Sequence, residues 1–230
     1  MVISHAWVRP VFLLPLLAAL LAAGDPDARP LSPAQIALFE TPHLKNIEHP
    51  ETLEYRYQRD GAGAFTDSIV ERIEKIHPDG TKYVGFNFLT GEHNVFFPAV
   101  DNFHGNPLLM LFLEHDVREI RDATGITATH CRNRIREAFI DRARIDDTQV
   151  TVAGKSVSAR RIILQPFLND PQFANIPEIK DKTYSFVLAD QVPGMLAELS
   201  AEQPANPNTG APALSERITF TGEKPLGDQP

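Results

Sequence analysis

Eight histidines and a single cysteine are the side chains of this chain best suited to bind a metal ion or to act as base and nucleophile. No two histidines stand four residues apart, the spacing at which one helix face presents two imidazoles to a zinc ion. The patterns HExxH and CxxC are absent as well. The spacing therefore predicts neither a metal site nor a cofactor, while a site assembled from distant residues stays open.

The cysteine, Cys131, directly follows His130, so a thiol and an imidazole are neighbours in sequence. Adjacent residues on a strand point to opposite faces, and a lone cysteine is commonly a small buried hydrophobic residue. There is no GxSxG segment, which argues against a serine hydrolase of the common α/β type. The segment AGKS resembles the end of a phosphate-binding loop, but the first glycine of that motif would fall on Gln149. Local motifs therefore predict no catalytic residue.

One enzymatic alternative uses residues that are not adjacent. His104, Asp101 and Glu114 could supply the imidazole and carboxylate groups of a periplasmic hydrolase if the fold brings them together.

Arginines are concentrated in the second half of a chain whose formal net charge is -8. Guanidinium groups bind phosphate and carboxylate in a forked geometry, which predicts a docking patch for an anionic envelope partner. The residues of this predicted patch are Arg132, Arg134, Arg136, Arg160 and Arg161. The alternative is a solvated sheet face on which the arginines pair with acidic residues of neighbouring strands. The overall acidity argues against a nucleic-acid partner and limits any membrane contact to a peripheral one.

Residues 1–24 have the layout of a secretory signal peptide. Arg9 precedes the apolar run Val11–Ala23, and a small residue, Gly24, follows at the predicted cleavage site. The run is shorter than the roughly 20 apolar residues of a membrane span, although a retained anchor helix is the alternative. We therefore predict a periplasmic protein, with residues 25–31 as a flexible linker.

The strongest helical pattern is Asn106–Arg121, around which the other elements are predicted to pack. Asn106 can cap this helix, Pro107 suits its first turn, and Gly125 suits its end. His115 is a polar residue on its otherwise apolar side. A shorter helix is predicted over Pro33–Phe39.

Alternating apolar and polar residues predict strands elsewhere. They are Leu53–Gln58, Ser68–His77, Thr81–Leu89, the hairpin Gln149–Phe167, Tyr184–Leu188 and Glu216–Thr221, with Met195–Leu199 as a short strand or a helical turn. Thr127–Ile140 fits a strand by its alternating arginines and a helix by the spacing of Cys131, Ile135 and Phe139. A strand is predicted there, because it would give the following hairpin an antiparallel neighbour.

These elements predict an α+β fold, mainly antiparallel β, with a curved sheet or half-barrel packed around one central helix and a short N-terminal helix. Residues 32–203 form a single domain in this prediction. Residues 204–213 are a proline-rich hinge, 214–222 the last strand of the domain, and 223–230 a disordered tail.

The order of these elements resembles that of the lipoprotein-carrier-like (LolA-like) half-barrel proteins of Gram-negative envelopes and related uncharacterised envelope proteins. The resemblance covers the layout of most of the mature chain and rests on no specific motif. It implies a curved sheet that encloses an apolar cavity for acyl chains, lined by Tyr83, Phe86, Phe88, Phe96 and Phe112, with His115 nearby. The alternative for these aromatic residues is an ordinary filled core. The expected function is non-catalytic binding of an apolar or amphiphilic envelope molecule, with a lipid or lipoprotein as ligand.

Overall fold

A nine-stranded antiparallel sheet is the frame of the computed structural model, which describes residues 29–103 and 105–226. Strands β1 to β9 are Glu51–Asp60, Phe65–Ile76, Lys82–Phe88, Val100–Phe103, Arg144–Val152, Lys155–Leu164, Thr183–Leu188, Leu196–Gln203 and Leu214–Pro225. They lie in the order β4-β3-β2-β1-β9-β8-β7-β6-β5, so β4 and β5 are the two edges of an open sheet. The predicted α+β architecture, mainly antiparallel, is confirmed.

Strand β9 joins the two halves of the sheet. It pairs with β1 on one side, where Tyr55 lies opposite Phe220, and with β8 on the other. Its inward residues alternate with outward ones, which is the pattern of a strand with one buried face. β9 reaches Pro225 and so extends into the segment expected to be a disordered tail.

Four helices accompany the sheet in the described residues: α1 at Pro33–Gln35, α2 at Leu108–Thr124, α3 at Ala128–Asp141 and α4 at Pro177–Lys180. A wider turn at Ile36–Glu40 continues α1. In the part of the chain that the structure describes, no helix has the length and apolar character needed to cross a membrane. The predicted signal peptide lies outside that part.

Helix α2 is the predicted central helix. The Asn106 side chain accepts a hydrogen bond from the Leu108 backbone N–H at 2.9 Å, and Gly125 ends the helix with φ of 74°. A left-handed residue of this kind satisfies the last carbonyls of a helix, and glycine adopts it without strain. The apolar side of α2 is buried against the sheet: Leu108, Leu109, Leu111, Phe112, Leu113, Val117 and Ile120. Each such side chain stabilises the fold by about 1.5–3 kcal/mol, so packing rather than helix propensity holds α2 in place.

The strand predicted at Thr127–Ile140 is wrong, because this segment is helix α3. The Thr127 side chain caps it by accepting a hydrogen bond from the His130 backbone N–H at 3.2 Å. Its buried residues are Cys131, Ile135, Ala138 and Phe139, which recur at helical spacing. The alternating arginines are half-buried at the borders of the buried face of a helix and do not lie on one strand face. α3 therefore adds a second long helix beside α2.

The other predicted strands and the hairpin within Gln149–Phe167 are confirmed. Ser68–His77 covers most of β2, and the segment Met195–Leu199 contains the beginning of the strand β8 at Leu196. The β5–β6 turn falls at Ala153 and Gly154, which have φ of 48° and 77°.

Candidate functional site

Polar side chains of α2 meet polar side chains of β1 and β9 near the C-terminal half of the helix. His115 and Glu119 lie one helical turn apart, with Nε2 of the histidine 3.8 Å from Oε1 of the glutamate. Glu216 comes from β9 and is only 2% exposed. The ligand atoms of His115, Glu119 and Glu216 all lie within 4.8 Å of one another. We call this group of three the α2–β9 cluster.

Arg59 of β1 holds the two carboxylates of the α2–β9 cluster. Its Nη1 lies 2.8 Å from Glu119 Oε1 and 2.5 Å from Glu216 Oε1. Arg59 and Glu216 are cross-strand neighbours in the register of β1 and β9, which brings them together without a loop. The Tyr57 hydroxyl donates a further hydrogen bond to Glu216.

The environment shifts the pKa values of this group. Burial raises the pKa of Glu216, and the charges of Glu119 and Asp116 raise it further. Burial and the charge of Glu216 raise the pKa of Tyr57 far above its usual range. Burial alone would lower the pKa of Arg59, but Glu119 and Glu216 raise it. Arg59 therefore stays a cation, and the cluster can hold positive charge between its two carboxylates.

A second polar group is fully buried beneath the middle of α2. Asp116 is 0% exposed and accepts hydrogen bonds from the Lys182 ammonium and the Tyr184 hydroxyl. Lys182 Nζ also donates to Gln203 Oε1 at 2.9 Å. Nearby, burial raises the pKa of the Cys131 thiol to about 11, which keeps it protonated and unreactive. This arrangement ties α2 to β7 and β8.

A third buried carboxyl, Glu71 of β2, lies near the beginning of α2. The Tyr55 hydroxyl is 3.4 Å from Glu71 Oε2, while Oε1 is buried and has no partner among the described residues. Burial raises the pKa of Glu71 to about 8, although the nearby polar groups of Asn106 and Tyr55 act in the opposite direction. At neutral pH the side chain is therefore mainly a neutral acid.

The predicted aromatic residues fall into two groups. Phe86, Phe88 and Phe112 are 9%, 1% and 1% exposed, so they belong to the core on the helical face of the sheet. Phe88 contacts His115 with ring centroids 5.3 Å apart, and Phe112 meets Tyr184 and Phe186 edge-on, each at 6.4 Å. Tyr83 is half-buried, and Phe96 is 81% exposed. The role of these residues in ligand binding stays a prediction.

The predicted arginine patch is divided between a helix and a strand. Arg132, Arg134 and Arg136 lie on α3, where successive residues are about 100° apart, so Arg134 points away from the other two. Adjacent residues of β6 point to opposite faces, which separates Arg160 from Arg161.

Two of these arginines are engaged by acidic side chains. Arg132 Nε and Nη2 donate to both oxygens of Glu114 at 2.9 and 2.7 Å. Arg134 pairs with Glu137 at 2.6 Å and with the buried carboxylate of Asp170 at 3.1 Å. Docking of an anionic partner on the five arginines stays a prediction.

The residues of the hydrolase alternative have other partners. Asp101 is 2.6 Å from His77 Nε2, and Glu114 holds Arg132. Burial alone would raise the pKa of Glu114, but hydrogen bonds and charge from Arg132 and Arg118 lower it below its usual value. A carboxylate with a lowered pKa is a poor general base at neutral pH. His104 lies outside the described residues.

Of the α2–β9 cluster, only His115 was predicted from the sequence as a candidate site residue. Glu216 did carry a signal, because it stands in phase with the inward residue Ile218 on a strand whose other face is polar. A charged residue at an inward strand position is rare unless it is paired. Arg59 carried no comparable signal, since its role depends on the pairing of β1 with the distant β9.

Comparison with known proteins returned solved structures. No protein-family model matches the chain. No curated protein matches it either. The Pseudomonas aeruginosa MucA/MucB complex aligns over 82% of this chain and 56% of that chain, with 13% identity and a TM-score of 0.36. The Mycobacterium tuberculosis lipoprotein LppX aligns over 77% of this chain and 89% of that chain, with 9% identity and a TM-score of 0.32.

A LolA superfamily protein of Nitrosomonas europaea also aligns, over 86% of this chain and 94% of that chain, with 10% identity and a TM-score of 0.19. That protein is of the LolA superfamily, the group that the order of elements in the present chain resembles. This chain spans little more than half of the MucA/MucB chain that it matches, 56%.

Proposed function

We propose that the chain is a non-catalytic binding module of the bacterial envelope that takes an anionic amphiphile, a lipid or lipoprotein, at the segment Val95–Phe97. Phe96, which is 81% exposed, is the observation that carries the proposal. An exposed phenylalanine ring is costly in water and favourable against the apolar part of a ligand.

The neighbours of Phe96 connect this exposed ring to the core. Phe97 is 7% exposed and contacts Phe88 with ring centroids 5.2 Å apart. The Val95 backbone N–H donates to the Phe88 carbonyl at 2.9 Å, which fixes the segment on the last residue of β3. An apolar chain lying on Phe96 would therefore continue the apolar surface of the core.

Arg118 supplies the complementary charge. Its guanidinium lies over the Phe97 ring, 5.1 Å from the centroid, and its side chain is 40% exposed. An amphiphile with an anionic head group could place its apolar part on Phe96 and its charge on Arg118. The proposal thus names a rim site rather than a deep cavity, in keeping with the burial of Phe88 and Phe112.

Titration with a fluorescent fatty-acid analogue tests the proposal. Wild type should bind the probe, and Phe96→Ser should bind at least about tenfold more weakly, because burying a phenylalanine contributes about 1.5–3 kcal/mol. Leu168→Ser is the matched control, since Leu168 is also apolar and exposed, at 42%. Arg118→Gln should weaken the binding of an anionic probe more than the binding of its uncharged methyl ester.

Substitution of Phe88 or Phe112 by aspartate would be a poor test, because it places a carboxylate in the core and affects folding. Failure of wild type to bind the probe, or equal binding by wild type and Phe96→Ser, would overturn the rim site.

A further inference from the structure

The α2–β9 cluster presents three metal-ligating side chains, an imidazole and two carboxylates, to one point. His115 and Glu119 are four residues apart on one helix, which is the spacing that places two ligands on one metal ion. Glu216 completes the set from the sheet side, with all three ligand atoms within 4.8 Å. An imidazole with two carboxylates suits zinc, and similar divalent transition metals also use these donors.

Glu216 keeps one carboxylate oxygen free of hydrogen bonds from the described residues. The side chain is 2% exposed, and both of its hydrogen bonds among the described residues, from Tyr57 and Arg59, end on Oε1. The second oxygen, Oε2, has no hydrogen bond from the described residues. Oε1 is therefore occupied by Tyr57 and Arg59, and Oε2 is the oxygen left free to coordinate an ion.

Access and geometry are compatible with an ion. The Glu119 side chain is 35% exposed, so the cluster opens to solvent on the helix side. Zinc bonds of about 2.0 Å in a tetrahedral site place ligand atoms about 3.3 Å apart. The His115–Glu119 distance of 3.8 Å is already close to this value, and the remaining distances would shorten by side-chain rotation.

We propose that the α2–β9 cluster is a divalent-metal site in which the Arg59 guanidinium competes with a zinc ion for Glu119 and Glu216. Arg59 occupies the position between the two carboxylates at 2.8 and 2.5 Å. A bound ion would displace it toward solvent, where part of its side chain already lies, at 19% exposure. The ion would then join α2 to β9 in place of the guanidinium.

Isothermal titration calorimetry of EDTA-treated protein with zinc chloride, paired with thermal unfolding, tests this site. Wild type should bind one equivalent of zinc. Arg59→Gln should bind zinc about tenfold more tightly or better, because the ion no longer has to displace a hydrogen bond between charged groups. Such a bond contributes at least about 1.5 kcal/mol, which corresponds to that factor in affinity. Arg59→Gln should also recover thermal stability on addition of zinc, since the ion replaces the lost partner of the buried Glu216.

His115→Ala separates this site from adventitious binding elsewhere. In wild type and in Arg59→Gln alike, this substitution should weaken zinc binding by more than about 100-fold. Loss of a residue that only supports a ligand costs about 10–100-fold, so loss of the ligand itself should cost more. His130→Ala is the matched control, because His130 also sits 2.6 Å from a carboxylate, that of Asp170. Unchanged zinc binding in His115→Ala would overturn the site, as would equal affinity of wild type and Arg59→Gln. Both outcomes are independent of amphiphile binding at Phe96.

Discussion

Replacement of Glu71 by glutamine should stabilise the protein at neutral pH and not in acid. Glu71 is 0% exposed, and burial raises its pKa from 4.5 to about 8. Because the folded-state pKa lies above the unfolded-state value, the folded protein holds a proton between these two pH values that the unfolded chain has released. Stability from this group is therefore fully present below pH 4.5 and is lost as the pH rises to about 8.

The magnitude follows from the interval between the unfolded pKa and the working pH. At pH 7 the interval is about 2.5 units, and one unit corresponds to about 1.36 kcal/mol, so the loss is about 3 kcal/mol. Glutamine has nearly the shape of the protonated acid and does not titrate. Glu71→Gln should thus match wild type at pH 4.5 and exceed its free energy of unfolding by about 3 kcal/mol at pH 7.

Urea unfolding at a series of pH values, followed by circular dichroism, measures this difference directly. All other titrating groups are common to both proteins, so the difference between the two curves isolates Glu71. Glu92→Gln is the control, because Glu92 is exposed on the surface. A difference between wild type and Glu71→Gln that does not change with pH would refute the reasoning, since it would show that Glu71 keeps the same protonation state in the folded and unfolded chain.

Two further predictions concern the middle of α2 and the N-terminus. Lys182→Met should lower the free energy of unfolding by about 3–5 kcal/mol, because it leaves the fully buried Asp116 without its cation. In urea unfolding, the double variant with Asp116→Asn should recover most of this loss, and equal losses in the single and double variants would contradict the pairing. Protein isolated from the periplasm should begin just after Ala23 or Gly24 by mass spectrometry, and an intact N-terminus at Met1 would contradict the predicted signal peptide.

Elements with strong local signals were predictable from the sequence. Helix α2 carries its cap at Asn106 and its end at Gly125, and both signals are encoded within a few residues of the helix. The hairpin β5–β6 is likewise fixed by Ala153 and Gly154, whose positive φ values make the turn. These features depend on neighbours in sequence and need no knowledge of the fold.

Helix α3 shows how two periodicities can compete in one segment. The arginines alternate with a period of two, but the residues that become buried, Cys131, Ile135 and Phe139, recur at helical spacing. Burial of apolar surface contributes more than the placement of the half-buried arginines, so the apolar period decides the structure. Thr127 was the local signal for this outcome, because it is a favoured residue at a helix N-cap.

The polar groups under α2 were not predictable in the same way. Glu71 made β2 a poor fit to the alternation of a strand because its charged side chain points inward with Ile69 and Ile73. β2 is thus a regular strand in which one inward position holds the buried acid Glu71. The partner of Glu216 depends on the β1–β9 pairing, which joins the two ends of the domain and has no local signature.

Together these buried polar groups determine where α2 lies on the sheet. Apolar contacts are non-directional, and α2 is apolar over a wide side, so packing alone would permit a shift or rotation of the helix. Hydrogen bonds have a defined geometry, and α2 makes them from both Asp116 and Glu119, to different strands. We infer that these contacts hold the helix at one position, which a large pairing energy between Asp116 and Lys182 would support and an additive double variant would refute. A helix held in this way keeps Phe112 seated in the core, and a ligand would then meet the protein at the rim beside Phe96 rather than beneath the helix.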